Sequence, residues 1–158
     1  MADNIIKIRE LLGSKWLEFI LKLSEWSKSE TTQIDEFHAL MRKLYNSNLK
    51  LTCRMIGKIV SPIRTDIADK NFDIFGSERY MSWITEEVLQ ESDSSHEFNF
   101  QEIFNSEDQH TWGADVQTKF WKYMEILSKL YSKLVTMEMK DHSGIEPYDG
   151  MVEYDFNE

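Results

Sequence analysis

Disulfides, helix breakers and membrane spans are all scarce or missing in this chain. A lone cysteine, Cys53, excludes an internal disulfide and offers no thiolate framework for a metal. Two prolines and six glycines in 158 residues leave few places where a helix must stop. The glycines stand at 13, 57, 76, 113, 144 and 150 and never cluster into a phosphate-binding loop, and no Gly-x-Ser-x-Gly elbow occurs. No window approaches the roughly 18 uncharged apolar residues of a membrane helix. Asp3 and Asn4 interrupt the start, where a secretory leader would be basic and then apolar. These absences set expectations of no membrane span, no cofactor and a reducing, cytoplasmic location.

Charge of one sign is also missing over long stretches. Between Phe37 and Thr65 there is no acid, while Arg42, Lys43, Lys50, Arg54, Lys58 and Arg64 are basic. Between Tyr80 and Thr118 there is no Lys or Arg among nine acids, and the segment after Lys140 is acidic again. The net charge of −10 argues against a general nucleic-acid binder, because phosphate attraction scales with clustered cations.

What is present is helical periodicity. With 41% hydrophobic and 13% aromatic residues the chain is globular rather than disordered. Val116, Phe120, Tyr123, Leu127, Leu130, Leu134 and Met137 alternate spacings of four and three, which predicts a long helix over Asp115–Met139. A second seam of Trp121, Met124, Tyr131 and Val135 widens its apolar face beyond a two-stranded seam. Lys119, Lys122, Lys129 and Lys133 occupy the other side, with Glu125 placed to pair with Lys129. Ile5, Ile8, Leu12, Trp16, Phe19, Leu23 and Trp26 predict a first helix over about Asn4–Ser27. Thr32 with Asp35 reads as a capping box. A continuous apolar register then favours one helix over Gln33–Val60 with a polar notch at Asn46–Asn48, the alternative being two helices that meet at a tight turn there, and Ser61-Pro62 ends it. Ile67, Phe72, Ile74 and Phe75 point to a helical turn and a packed loop, and Ser77 caps a helix starting at Glu78. The expected fold is a single all-α bundle of four to five helices over residues 1–143, followed by an acidic, aromatic-bearing tail over 144–158.

Candidate chemistry is sparse. Asp35/His38, Asp93/His96 and Glu107/His110 each repeat the carboxylate–histidine spacing of di-iron bundles, but at a helix start or in loops. They support a metal-dependent enzyme only as a remote alternative. Cys53, beside Arg54, reads as a buried small hydrophobe. The sharpest candidate is a basic stripe: Lys43, Lys50, Arg54 and Lys58 share one face of the expected long helix. It suits an acidic protein surface, either of a protein partner or, by self-association, the acids of Glu86 to Asp115; nucleic acid is the alternative, weakened because only Tyr45 lies near for base stacking. In the tail, Val152, Tyr154 and Phe156 alternate with Glu153 and Asp155, a pattern able to add to a sheet edge or dock in a basic groove.

The run Phe98–Leu134 places a short phrase, FNFQEIF, and an acidic linker before the helix KFWKYMEILSKL. In this it resembles the C-terminal part of small helical proteins of nucleocytoplasmic large DNA viruses. That resemblance implies a viral accessory or virion-associated protein and no particular chemistry or site residue. The expectation is a non-catalytic interaction or assembly protein.

Overall fold

In the computed structural model, which describes residues 2–28, 31–88 and 100–140, the apolar rows become helices. In chain order these are α1 (Ala2–Trp26), α2 (Thr32–Ser47), α3 (Leu49–Val60), α4 (Arg64–Asp69), α5 (Glu78–Trp83), α6 (Phe100–Ile103), α7 (Ser106–His110) and α8 (Ala114–Lys140). Short 3-10 turns at Ser61–Ile63 and Phe72–Gly76 and one π-helical turn at Ile84–Val88 join them. No strand occurs among the described residues, and no helix among them is long and apolar enough to cross a membrane. The fold is a single all-α domain in which α1, α2, α3 and α8 are the long elements.

α8 lies against α1, α3 and α4. Its deepest line runs Phe120, Met124, Leu127, Tyr131 and Leu134, with Trp121 and Val135 beside it. Val116, Tyr123, Leu130 and Met137, which recur every seven residues, are only half-buried along its margin. The buried centre therefore falls between the two apolar seams, where partners on both flanks cover it. Around Phe120 sits an aromatic hub: Phe19 at 5.3 Å, Phe72 at 5.2 Å and Phe75 at 5.6 Å between ring centroids. Phe104 stacks on both Phe75 and Phe100, and Phe37 meets Phe100 edge-on. These contacts bring α1, α2, α6 and α8 onto one core.

Glu138 continues the deep line of α8, and only 7% of its side chain is exposed. Nε and Nη2 of Arg9 on α1 each donate to its Oε1 at 2.9 Å. Breaking such a pair leaves one buried charge uncompensated, so it fixes how α1 and α8 align. α3 approaches α8 closely at Gly57, where a Cβ would fall 2.0 Å from the Tyr131 ring. Glycine there is a packing requirement.

Two local expectations are corrected. The helix expected over Gln33–Val60 is two helices, broken at Asn48 (φ −152°, ψ 81°). The Asn48 side chain accepts a hydrogen bond from Leu51 N at 3.1 Å, and its backbone N–H donates to Leu44 O at 2.7 Å. One residue thus ends α2 and begins α3, an arrangement asparagine favours because its amide competes with the helix for backbone partners. The start of α2 shifts as well: Thr31 holds the cap position, and its hydroxyl bonds the Asp35 carboxylate at 3.2 Å, not a backbone N–H. Ser77 caps as expected, accepting from Tyr80 N at 3.3 Å. The tail 144–158 and the Asp93/His96 pair lie outside the described residues.

Candidate functional site

The stripe expected from Lys43, Lys50, Arg54 and Lys58 does not form as one surface. Lys43 lies on α2 and the other three on α3, across the break at Asn48. Lys43, Lys50 and Arg54 are exposed, but Lys58 is buried. The reason is the segment that covers the last turns of α3. Tyr80 donates its hydroxyl to Ile59 O at 2.7 Å, and Trp83 donates Nε1 to Lys58 O at 2.9 Å. Helical spacing places residues on one face only while the helix continues, and it takes no account of what packs on that face later in the chain. The other expected partner-binding residues, Val152, Tyr154 and Phe156, lie outside the described residues.

The described carboxylate–histidine pairs, each on one helix, stand apart from further metal ligands. His110 Nε2 lies 3.0 Å from Asp73 Oδ1, on the exposed surface. Asp35 accepts from Ser24 Oγ at 2.8 Å. His38 is half-buried, and burial first, then the charge of Arg42, lowers its pKa against an opposing effect of Asp35. Among the described residues no three His, Cys, Asp or Glu gather where a metal ion would sit. Cys53 is buried and donates its thiol to Arg9 O at 3.4 Å; burial pushes its pKa up to about 12, which leaves it unreactive at neutral pH.

A different cationic feature does assemble. α4 packs against the first half of α8 and leaves an open groove of about 800 Å³ between them. Arg64, Ile67 and Lys70 line one wall; Thr118, Lys122, Glu125, Ile126, Ser128 and Lys129 line the other, with Trp121 at the floor. Four cations face one carboxylate, a net of three positive charges. Local sequence sets each wall. α4 closes at Lys70 in the left-handed conformation (φ 55°), with its N–H on Ile67 O at 3.2 Å. Asn71 then turns the chain, donating Nδ2 to Asp66 Oδ1 and accepting from Asp73 N. This turn holds Lys70 at the groove edge. On α8, Lys129 donates to Glu125 Oε1 at 2.6 Å, the pairing expected of residues four apart. The Glu125 carboxyl is held below the usual carboxylate value by that hydrogen bond and by the charge of Lys129, then by Lys70 and Lys122. Positive potential therefore reaches into the groove from both walls.

The floor is closed. Trp121 is 4% exposed and packs 4.7 Å from the Phe72 ring, so it offers no open face on which a base could stack. Half of this site was visible in the lysines of α8. Arg64 and Lys70 join them only through the packing of α4, which no spacing within α8 signals. No family model, curated protein or solved structure matches this chain.

Proposed function

We propose that this chain is a non-catalytic interaction protein that captures an acidic, aromatic-bearing protein segment in the α4–α8 groove. The supporting observation is the juxtaposition of Arg64, Lys70, Lys122 and Lys129 around the apolar Ile67, Trp121 and Ile126. Carboxylates of a ligand would meet the cations and the Thr118 and Ser128 hydroxyls, while its apolar side chains would cover Ala68 and Ile126, which keep exposed surface. A nucleic acid suits the groove less well. A duplex extends past three net charges over a helical body of no net charge, so it releases few counterions there. The resemblance to small proteins of large DNA viruses fits an accessory or assembly role for such a receptor.

The test is fluorescence anisotropy with a fluorescein-labelled peptide of alternating Glu and Tyr. The full chain should bind it in a salt-sensitive way, and Lys122→Glu with Lys129→Glu should weaken binding about tenfold. Retardation of single-stranded or duplex DNA at physiological salt, abolished by the same reversal, would move the assignment to nucleic acid.

A further inference from the structure

We propose that the groove is the docking site of this chain's own acidic segment Tyr148–Phe156, returning along α8 to the groove. The proposal rests on reading the groove as a receptor for acidic protein segments, and it names the segment that occupies it first.

Charge is divided unevenly between the helical body and the segments outside it. The described residues hold eighteen Lys and Arg against eighteen Asp and Glu, so the helical body is neutral. All ten surplus acids lie outside it, and six follow Lys140 with no cation among them: Asp141, Glu146, Asp149, Glu153, Asp155 and Glu158. A neutral body with a groove of net positive charge is thus joined covalently to a polyanionic segment. The tether matters more than the affinity. A short covalent tether gives an effective concentration on the order of millimolar, enough to populate a contact too weak to form between separate molecules.

A line of lysines leads from the end of α8 to the groove. Lys122, Lys129, Lys133 and Lys140 follow at spacings of seven, four and seven, and all four are exposed. Eighteen residues make five helical turns, so these lysines form one line about 27 Å long from the point where the segment leaves α8 back to the groove. Tyr154 lies fourteen residues beyond Lys140, a span of about 46 Å for an extended chain, well beyond that distance and with length left to reverse direction. Side-chain alternation fits the segment to the groove. In an extended segment Val152, Tyr154 and Phe156 share one side and Glu153 and Asp155 the other. The first set matches Ala68 and Ile126, the apolar lining residues that keep exposed surface, and the second matches Lys70, Lys122 and Lys129.

A nitroxide attached at Asn157→Cys in the full chain tests this, because Cys53 is 3% exposed and leaves the introduced thiol as the reactive one. Amide signals of residues 64–70 and 118–129 should broaden while those of α2 stay sharp. Lys122→Glu with Lys129→Glu should restore them. Glu153→Lys with Asp155→Lys should free the groove and raise its affinity for the Glu–Tyr peptide about tenfold, as expected if about nine molecules in ten are self-occupied. Uniform or absent broadening overturns the proposal. So does broadening that appears only when isotope-labelled and spin-labelled chains are mixed, which would place the segment on a second copy. If the peptide binds the groove without any such broadening, self-docking falls and the receptor reading stands. Selective broadening with no peptide binding to the Glu153→Lys, Asp155→Lys variant would instead sink the receptor reading alone.

Discussion

Two sets of lysines and arginines in this molecule have similar helical spacing and different fates. Lys43, Lys50, Arg54 and Lys58 are divided by a helix break and partly covered; Lys122, Lys129, Lys133 and Lys140 stay on one exposed line. The difference lies in the backbone beneath them. α8 runs unbroken for 27 residues because its deep line is filled at every turn from Phe120 to Glu138. The stretch from α2 to α3 has the polar Asn48 where that line would need an apolar side chain, and its amide bonds the backbone instead. A shared face therefore depends on continuous burial on the opposite side.

Breaking that continuity in α8 should have the largest effect. Leu127, fully buried, should lose about 2–5 kcal/mol when cut to Ala, measured by chemical denaturation. Leu130, half-buried on the margin, should lose clearly less, and equal losses would contradict the placement of the deep line between the seams. Next comes the polar end of that line. Glu138→Ala should cost about 3 kcal/mol by leaving Arg9 unpaired, whereas Arg9→Met combined with Glu138→Leu should recover most of the stability. A double variant as unstable as the single one would show that the pair contributes more than alignment.

Asn48 sharpens the comparison through the sign of its effect. Asn48→Ala should destabilise by about 1 kcal/mol, because it removes the cap of α3. Were α2 and α3 one helix, the same change would stabilise by a few tenths of a kcal/mol through helix propensity. The smallest effect concerns pH. The folded-state pKa of His38 is lowered by burial, so the unfolded chain takes up the proton more readily. Stability should then fall as pH drops below the unfolded value of 6.5, and His38→Gln should flatten that slope.

The long rows were legible in the sequence because a helix that buries one face repeats its apolar residues over many turns. α1 and α8 run within two residues of their expected ends. The helix break was legible only as a notch at Asn46–Asn48, since the apolar register continues through it and register alone cannot tell a polar core residue from a cap. Glu138 was missed for the opposite reason. Its position continues the line of Phe120, Leu127 and Leu134, yet a carboxylate is ordinarily assigned to the solvent side until Arg9 arrives from α1, 129 residues away in sequence. The groove was half legible. The lysines of α8 and the Glu125–Lys129 pair follow from spacing, but Arg64 and Lys70 reach them by tertiary packing of a six-residue helix.

Two cationic surfaces of this molecule could receive an acidic segment: the α4–α8 groove and the exposed cations of α2 and α3. Paired reversals decide between them: Lys122→Glu with Lys129→Glu against Lys43→Glu with Lys50→Glu, each titrated with the labelled Glu–Tyr peptide at constant salt and checked for unchanged helicity. The groove reversal should weaken binding about tenfold, and the α2–α3 reversal should leave it within about twofold. Equal losses would mean that the peptide senses only net charge, and a larger loss from Lys43 and Lys50 would place the receptor surface on α2 and α3 and contradict the account.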